Sequence, residues 1–435
     1  MASTKLTKTF SGASNRKTMT FSFWVKRAKI SSGCYLANAG AGGSPEAGIE
    51  FNGDDTFTTW QSGGMSMRPS RKFRDTNAWY HIVVAVDTTQ STASDRVKIY
   101  TNGVQETSFV TETYPSQNDD LSWNSTAVHV IGAYYSNSNY FDGILSHFHF
   151  IDGTAYAASD FGETDSTTGE WKIKTSLSVT YGTNGFFIFK DGNSVTDQSG
   201  NSNNFTVAAG TLTNTEDSPS NVFCTLNPLI YAATQYTLSE GNNSIVYATD
   251  SSRSAFGTIA IDDNLGKFYW EIKIVSDSNN KGAYGICDDL YVDLNQTGAF
   301  IDYSGGYGYF ANGQSYNGGT GTSYGDAVTT GDIVGVAIDM DNQKLYFSKN
   351  GVWQNSGDPT SGSTGTGAAY TVASGKTYFP AIRVRNGTNA AFNFGNGYFG
   401  TTAISSEGTN ASGNGKFEYD VPSGYTALSV KGLNI

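Results

Sequence analysis

The sequence predicts an all-β protein built from two tandem antiparallel β-sandwiches. Short runs of alternating apolar and polar residues, bounded by Gly, Asn, Asp and Ser, recur roughly every 8 to 15 residues, whereas helical periodicity is almost absent. One strand–turn–strand pattern also occurs twice along the chain. The length of 435 residues is enough for two or three domains, each with its own core.

The first predicted strands alternate clearly. Met19–Lys26, Tyr80–Val86 and Arg96–Tyr100 each place every second residue on one face. Hairpin turns are predicted where an Asn-Gly pair follows a strand, because both residues accept the positive φ of a type I′ turn. The four pairs are Asn52-Gly53, Asn102-Gly103, Asn312-Gly313 and Asn350-Gly351.

A pattern that occurs twice in the sequence indicates two sandwiches with similar strand arrangements. Residues 82–104 and 333–352 both consist of a strand, an acidic turn, a second strand and an Asn-Gly hairpin. A polar stretch between Asp217 and Pro228 contains two of only eight prolines and marks the boundary. The predicted domains are therefore residues 1–222 and 223–435, with loops at 354–369 and 401–415.

Composition and charge exclude several classes of protein. The formal net charge of −12, with no basic run longer than Arg71-Lys72, argues against a nucleic-acid partner. No apolar stretch approaches the ~18 residues that membrane insertion needs, and the N-terminus has no apolar signal core. Three scattered cysteines form no disulfide framework and are predicted to be small buried or half-buried thiols.

The first 160 residues resemble the laminin-G-like sandwich, which has the concanavalin A-like jelly-roll fold. The resemblance rests on four motifs in the family's order: Phe21–Lys26, Trp79–Asp87, Val97–Gly103, and Ile131-Gly132 followed by Phe141–Ser146. Phe186–Phe189 and Asp197–Phe205 extend this similarity to about residue 222.

Residues 226–400 resemble a SPRY domain, a second type of β-sandwich. The matching motifs are Lys267–Ile272, Tyr284–Ile286, Gly308–Phe310, Gly331–Val336, Leu345–Gly351 and Tyr378–Ala381. This resemblance covers the second predicted domain nearly from end to end.

The order of the two domains is similar to that of structural or fibre-like virion proteins of tailed phages, especially marine ones. The phrases Phe150–Ala155 and Asp217–Asn221 are shared with those proteins. The resemblance implies a particle component, made in the host cytoplasm without a signal peptide and located in the virion. Its partners would be other virion proteins, further copies of itself, and a host cell-surface glycan.

Catalytic motifs are poorly matched. Glucanases of the concanavalin A-like fold use an E-x-D-x-x-E strand, because retaining hydrolysis needs two carboxyl groups ~5 Å apart. Here Glu163-Thr-Asp165-Ser-Thr-Thr168 has Thr at the last position and Gly and Thr around it, which indicates a loop. Gly305–Gly308 resembles a phosphate loop but no helix follows, so we interpret it as a turn. We expect a non-enzymatic protein, with glycan hydrolase the least favoured alternative.

Metal binding is a second alternative. His147 and His149 share one face of the strand Ile144–Ile151, about 7 Å apart by strand rise. Zinc needs three or four ligands and no third is evident, so we favour a half-buried sheet surface with Phe148 and Phe150 on the opposite face.

Calcium is implied only by the laminin-G-like resemblance. Aspartates at predicted strand ends are the candidate ligands, namely Asp87, Asp95, Asp142 and Asp197. Aspartate at a strand end is also the ordinary turn former. We therefore expect no cofactor, with calcium as the alternative.

Aromatic residues in predicted loops are the stronger binding candidates. One loop carries Tyr134, Tyr135 and Tyr140, and the second domain adds Tyr303, Tyr307, Tyr316, Tyr324 and Trp353. Tyr among Ser, Asn and Gly is typical of adaptable binding surfaces. The alternative is core and hairpin packing, to which we assign the strand residues Trp24, Trp79 and Trp270.

The sequence thus favours a virion structural protein that acts as a surface binding module for host-surface or glycan adhesion. The alternative is a capsid decoration or tail accessory protein that docks on particle subunits. No heptad repeat is present, so a coiled-coil stalk is not predicted.

Overall fold

The computed structural model describes residues 3–41, 44–190, 195–230, 235–277, 279–293 and 298–433. The chain forms two compact units: unit 1 comprises residues 1–214 with 218–220, and unit 2 comprises residues 215–217 with 221–435. The predicted all-β class is confirmed. Among the described residues the α-helices are two short ones, α1 (Asp289–Asp293) and α2 (Val430–Leu433), and neither has the length and apolar composition to cross a membrane.

The strands of unit 1 are β1 (Lys5–Thr9), β2 (Thr18–Arg27), β3 (Cys34–Ala41), β4 (Ser44–Phe51), β5 (Phe57–Gln61), β6 (Met65–Pro69), β7 (Trp79–Asp87), β8 (Val97–Thr101), β9 (Val104–Gln105), β10 (Phe109–Thr113), β11 (Val128–Ile131), β12 (Gly143–Asp152), β13 (Gly162–Thr164), β14 (Trp171–Ile173), β15 (Phe186–Ile188) and β16 (Thr206–Ala209).

Two sheets form the sandwich of unit 1. One has eight strands in the order β10-β6-β5-β4-β3-β11-β1-β16, and the other has six in the order β15-β12-β2-β7-β8-β9. Their inner faces supply one hydrophobic cluster that includes Phe23, Ile49, Phe51, Ile82 and Phe148. The alternation in β2 and β7 is therefore the cause of the packing, since every second residue enters this core.

The outer face of the six-stranded sheet is also buried. Ser22, Trp24 and Lys26 point away from the core, yet they are 1%, 4% and 3% exposed. Residues 154–183, here called the covering segment, lie over this face and pack Phe161 and other side chains against Val83. The covering segment contains the hairpin β13–β14, which forms a two-stranded sheet of its own.

This cover corrects one prediction. His149 is only 3% exposed, so the cover buries it more deeply than predicted, whereas His147 is half-buried as predicted. The strand bulges between Ser146 and His149, with φ +47° at His147, but the two histidine rings still lie 6.5 Å apart. Phe148 and Phe150 are in the core on the opposite face, as predicted.

The strands of unit 2 are β17 (Thr237–Ser239), β18 (Ser244–Val246), β19 (Arg253–Phe256), β20 (Lys267–Ser276), β21 (Ala283–Asp288), β22 (Gly306–Phe310), β23 (Gln314–Asn317), β24 (Thr320–Ser323), β25 (Ile333–Asp339), β26 (Lys344–Lys349), β27 (Val352–Trp353), β28 (Tyr370–Thr371), β29 (Tyr378–Val384), β30 (Asn389–Asn393), β31 (Tyr398–Phe399), β32 (Thr402–Ala403) and β33 (Thr426–Ala427).

Unit 2 is a second sandwich. One sheet runs β17-β18-β30-β20-β25-β26-β27, with β28 beside β26 and β33 parallel to β20, and the other runs β19-β29-β21-β22-β23-β24. Trp270, Ile286, Val336 and Phe347 belong to the cluster between them. Trp270 is 0% exposed and lies in this core, as predicted. Trp24 and Trp79 are buried, but on the outer face of the six-stranded sheet of unit 1 rather than in the predicted core.

All four Asn-Gly pairs lie in hairpins, as predicted, because β4–β5, β8–β9, β22–β23 and β26–β27 are antiparallel neighbours, but only two of the four have the φ angles of a type I′ turn. Asn102-Gly103 and Asn350-Gly351 join β8 to β9 and β26 to β27, and all four residues have positive φ. Asn52-Gly53 lies in a longer connection whose positive φ is at Asp55, and in Asn312-Gly313 only the glycine has positive φ. Type I′ turns need a two-residue loop, and these two connections are five and three residues long.

The cysteine prediction is confirmed. Cys34, Cys224 and Cys287 are all buried, and none of the three forms a disulfide. Burial raises the pKa of the Cys34 thiol to about 11 and raises that of Cys287 further still.

A buried carboxylate holds the C-terminal part of unit 2. Glu271 on β20 is 0% exposed and accepts hydrogen bonds from the backbone N–H groups of Glu418 (2.9 Å) and Tyr419 (2.8 Å). Tyr269 Oη donates to it at 3.1 Å, and so does Asn393 Nδ2 at 3.1 Å. Burial raises the pKa of Glu271 to about 7, against the lowering effect of these four donors.

We predict that Glu271→Gln lowers the free energy of unfolding of unit 2 by about 1–3 kcal/mol, because the new amide N–H₂ faces a backbone donor that then has no acceptor. Denaturant unfolding followed by tryptophan fluorescence measures the change. The matched control is Glu407→Gln, which replaces an exposed glutamate and should stay within about 0.5 kcal/mol of the parent. Equal effects of the two variants would contradict the role of Glu271.

Candidate functional site

The loop that carries Tyr134, Tyr135 and Tyr140 connects β11 to β12 in unit 1. Its backbone closes on itself, because Tyr134 N donates to Ser138 O at 2.9 Å. Lys5 Nζ donates to Tyr135 O at 2.6 Å and to Asn137 Oδ1 at 2.9 Å, and it lies 5.5 Å from the centre of the Tyr135 ring. All three tyrosines are half-buried, so the loop presents part of each ring in a fixed position.

Next to this loop, the outer face of the eight-stranded sheet carries a row of polar and aromatic side chains. Residues directly opposite each other on paired strands point to the same face. The pairs Tyr35↔Glu50, Glu50↔Thr58, Gly48↔Trp60, Trp60↔Ser66 and Arg68↔Thr111 extend that face across five strands. The inner face of the same strands is core.

The Trp60 indole lies directly against Gly48. A Cβ atom at position 48 would be 2.6 Å from Trp60 Nε1 and 2.7 Å from Cε2, which is closer than real contacts allow. Only glycine therefore lets the indole rest on the sheet. Trp60 is half-buried and lines the surface depression described below, so part of the indole is open to the surface.

Glu50 is the polar centre of this face. Tyr35 and Trp60 both donate side-chain hydrogen bonds to its carboxylate, and the positive charge of Arg68 lies nearby. Burial raises the pKa of Glu50 above its ordinary value, although these three neighbours act in the opposite direction. Two aromatic side chains are thus fixed around one carboxylate.

Arg68 is held in place from the other side. Its Nη2 lies 2.6 Å from Asp54 Oδ2, and its Nε donates to Thr56 Oγ1 at 2.8 Å. Lys72 Nζ also contacts Asp54 Oδ2, at 2.7 Å. The turn after β4 therefore positions the guanidinium that faces Glu50.

These side chains enclose a depression of about 300 Å³, here called the Trp60 groove. The residues that line it are Glu50, Asn52, Thr58, Trp60, Ser66, Arg68 and Thr111. Tyr35 connects it to the tyrosine loop, because its ring packs edge-on against Tyr134 with the centroids 4.9 Å apart. The groove and the loop form one continuous surface of unit 1.

The chemistry of the groove is that of a polar binding site with an aromatic platform. It offers an indole face, a carboxylate, a guanidinium and several hydroxyl groups. Among the described lining residues Glu50 carries the only carboxylate, whereas glycoside hydrolysis uses two.

The predicted aromatic residues of unit 2 do not form one surface. Tyr307 lies in β22 and packs on Tyr370 and Tyr378, whereas Tyr316 lies in β23 and packs on Phe310. The prediction that both lie in loops is wrong. Tyr316 pairs with Gly308, the residue after Tyr307, so the rings of Tyr307 and Tyr316 are on opposite faces of the sheet.

The other three aromatic residues of unit 2 also have packing partners. Tyr303 lies in a loop, as predicted, with its ring 5.4 Å from that of Tyr291. Trp353 lies in β27 rather than in the predicted loop, with its ring 6.3 Å from that of Tyr269. Tyr324 is only 8% exposed and belongs to the core, so its assignment to a binding loop is wrong.

Three of the four candidate calcium ligands have carboxylates that are engaged in separate turns. Asp87 accepts from Thr89 and Gln90, Asp95 pairs with Lys98 at 3.1 Å, and Asp197 accepts the backbone N–H groups of Phe187 and Ser199. Asp142 lies beside β12 and its carbonyl accepts from Ala28 N.

In the part of the chain that the structure describes, no group of three His, Cys, Asp or Glu side chains could hold a metal ion. Calcium binding therefore stays a prediction of the resemblance alone.

The E-x-D stretch is a hairpin rather than a plain loop. Glu163 lies in β13, and Asp165 caps the turn by accepting the backbone N–H groups of Thr167 and Thr168. Lys172 Nζ pairs with Asp165 at 2.8 Å and with Glu163 at 3.8 Å. Gly305 lies in a turn as predicted, but Gly306–Phe310 is strand β22, so that part of the turn prediction is wrong.

The sequence analysis missed the residues of the Trp60 groove. The one available signal was alternation: Phe57-Thr-Thr-Trp60 and Met65-Ser-Met-Arg68 each place a polar or aromatic residue opposite an apolar one. Which strands lie side by side was not visible, so Glu50 and Trp60 could not be brought together.

Comparison with known families agrees with the two folds. Residues 5–160 match the family model of the concanavalin A-like lectin/glucanases superfamily, and residues 267–397 match that of the SPRY domain. The chain contains a concanavalin A-like domain followed by a SPRY domain.

Several curated proteins are similar over part of the chain. Ran-binding protein 9 of Xenopus laevis is 33% identical over 122 residues, which cover 26% of this chain and 22% of that protein. Ran-binding protein 10 of Danio rerio is 35% identical over 22% of this chain and 16% of its own length. Dual specificity protein kinase splA of Dictyostelium discoideum is 34% identical over 20% of this chain and 3% of the kinase. This chain spans less than a quarter of the length of each.

Similar solved structures include the SPRY domain of human HERC1, which is 16% identical, with 38% of this chain and 96% of that chain covered and a TM-score of 0.29. A heptameric SAP-like pentraxin from Limulus polyphemus is 14% identical, with 35% of this chain and 71% of that chain covered and a TM-score of 0.27.

We predict that Gly48→Ala displaces the Trp60 indole, because the added methyl group occupies the position of the ring. The indole N–H spectrum of the ¹⁵N-labelled chain should show one shifted signal among its seven tryptophans, and Trp60→Phe identifies that signal. Gly64→Ala is the matched control, since a Cβ at position 64 meets nothing within 4 Å. An unchanged Trp60 signal in Gly48→Ala would show that the indole does not rest on position 48.

Proposed function

We propose that this chain, which joins a concanavalin A-like domain to a SPRY domain, is a non-enzymatic surface binding module of a virion. In this proposal the Trp60 groove and the neighbouring tyrosine loop of unit 1 bind a host-surface saccharide. The observation that carries the proposal is the fixed Trp60 indole beside Glu50 and Arg68 on an open sheet face.

The groove has the two kinds of group that a saccharide needs. A sugar ring has an apolar C–H face that packs on an aromatic ring, and hydroxyl groups that both donate and accept hydrogen bonds. The indole of Trp60 supplies the first contact. Glu50 accepts hydrogen bonds and Arg68 donates them, and both side chains are held in place before a ligand arrives, which lowers the entropic cost of binding.

The charge of the groove favours a neutral saccharide. Arg68 and Lys72 are paired with Asp54, and Glu50 adds a further negative charge. The groove therefore has no surplus positive charge that would attract a sulfated or carboxylated sugar. The tyrosine loop adds aromatic contact area beside it.

The virion assignment is supported by the order of the two domains, which is similar to that of structural proteins of tailed phages. In this role the chain has other virion proteins as partners, assembles with further copies of itself, and needs neither nucleic acid, membrane insertion nor a cofactor.

A second candidate function is docking on particle subunits through sheet edges. Val104 and Val352 each follow an Asn-Gly turn on an edge strand, β9 in unit 1 and β27 in unit 2, and they are 62% and 67% exposed. Exposed apolar edge strands are typical sites of strand addition. This is the capsid-decoration or tail-accessory alternative.

We predict that the full chain binds a neutral saccharide on a glycan array that displays neutral and acidic sugars side by side. Trp60→Ala should weaken the affinity for the best-bound sugar at least about tenfold in titration calorimetry, because the platform is lost. Tyr135→Ala should weaken it as well. Trp353→Phe, in unit 2, is the control and should leave the affinity unchanged.

Other outcomes separate the alternatives. Docking is the function if the chain binds no sugar but rebinds to particles from which it has been stripped. The double variant Val104→Asp with Val352→Asp should then fail to rebind. Shortening of the bound polysaccharide that stops in Glu163→Gln would contradict the non-enzymatic assignment. Loss of binding in Trp353→Phe but not in Trp60→Ala would place the site in unit 2.

A further inference from the structure

The six-stranded sheet of unit 1 has histidines under its cover. His81 on β7 and His149 on β12 lie on the outer face, beneath the covering segment of residues 154–183. His147 lies beside His149, with the ring centroids 6.5 Å apart. The chain has four histidines, and the fourth, His129, is also in unit 1. Unit 2 has none, so any titration of histidine acts on unit 1 alone.

The hydrogen bonds of His81 fix its protonation. Trp171 Nε1 lies 3.0 Å from His81 Nδ1, and an indole N–H can only donate, so Nδ1 is an acceptor without a proton. The ring proton is therefore on Nε2, which lies 2.9 Å from Ser22 Oγ. His81 is neutral in the covered structure.

Trp171 anchors the hairpin β13–β14 to the sheet. Its ring fills a slot whose walls are glycines: a Cβ at Gly103 would be 2.5 Å from the ring and a Cβ at Gly162 would be 2.4 Å from it. The His81 ring closes the slot: it stacks on Trp24 with the centroids 4.8 Å apart, and it lies edge to edge with Trp171, whose centroid is 6.0 Å away.

Apart from this anchor, the hairpin has few ties to the sandwich. Its two strands pair with each other and belong to neither large sheet. Directly after it, Lys174 N donates to Phe161 O, which is itself in the covering segment. Tyr181 Oη contacts His149 Nδ1 at 2.8 Å, but a hydroxyl group can donate or accept, so that contact tolerates either state of His149.

We propose that the hairpin β13–β14 is an acid-released part of the covering segment: protonation of His81 at Nδ1 removes the acceptor of the Trp171 hydrogen bond and frees the hairpin. The proton placed on Nδ1 would point at the indole N–H, so two donors would face each other inside a closed slot. Opening of the hairpin relieves this conflict and exposes the imidazolium to water.

The surroundings of His81 oppose its charge. From β12 the titratable groups that face it are His147 and His149; from β2 it meets Ser22 and Trp24; from the hairpin it meets Trp171. Glu163, Asp165 and Lys172 on the same hairpin pair with one another at its exposed side. Burial, and then His147, lower the pKa of His81 to about 3.

The sign of the pH dependence follows. With the cover open, His81 titrates near its ordinary value of 6.5, so the open state binds the proton more readily than the closed one. Opening is therefore favoured as the pH falls below about 6.5, and the closed state is fully stable above it. Between pH 7.5 and 4.5 the opening equilibrium should rise about a hundredfold.

Amide hydrogen exchange of the full chain tests the proposal, with each rate expressed as a protection factor so that the intrinsic pH dependence of exchange cancels. Protection of residues 162–164 and 171–173 should fall about a hundredfold between pH 7.5 and 4.5, while β8 keeps its protection. In His81→Phe, which retains a ring between Trp24 and Trp171 but cannot be protonated, the fall should disappear.

His129→Phe is the matched control. His129 is also buried with a pKa lowered to about 4, and its Nε2 accepts the backbone N–H of Asn124, but it packs on Phe10 away from the hairpin. This variant should keep the acid response.

If His81→Phe does not fold, Trp171→Phe replaces it as the test variant, because its ring fills the slot but has no N–H to donate. Hairpin protection of this variant at pH 7.5 should be at least about tenfold lower than that of the parent. The proposal is overturned if hairpin protection is independent of pH, or if β8 loses protection together with the hairpin. It is also overturned if the hairpin amides of Trp171→Phe are as well protected as those of the parent.

Discussion

The structure of unit 1 depends on one constraint, the alternation of side chains between the two faces of a strand. Both sheets use one face for a shared core, and what happens to the other face decides the chemistry. On the six-stranded sheet the Trp171 anchor closes it, so His81 is held neutral. On the eight-stranded sheet nothing described covers β4, β5 and β6, so Glu50 and Trp60 line an open groove.

Much of the fold could be predicted because its cause is local. The strands around Phe21–Val25 and Ile82–Val86 follow from alternation, and the turns at Asn102 and Asn350 follow from the φ that Asn-Gly accepts. The turn at Asn52 could not be predicted in the same way. Its length is set by where Phe51 pairs with Phe57, which is a property of two strands together.

The site was harder to predict than the fold for a related reason. Counting tyrosines in polar stretches singled out Tyr324, which is core, because sequence does not show which ring finds a partner. Gly48 and Trp60 are twelve positions apart, and only their register brings the indole onto the glycine. The laminin-G-like and SPRY motifs predicted both sandwiches, yet neither motif set contains a groove residue.

The buried thiols give the chain an unusual independence from its redox surroundings. Oxidation and disulfide exchange begin with an accessible thiolate, and burial raises the thiol pKa of Cys34 and Cys287, which are 8% and 0% exposed. These buried thiols are therefore expected to stay free in both reducing and oxidising solutions.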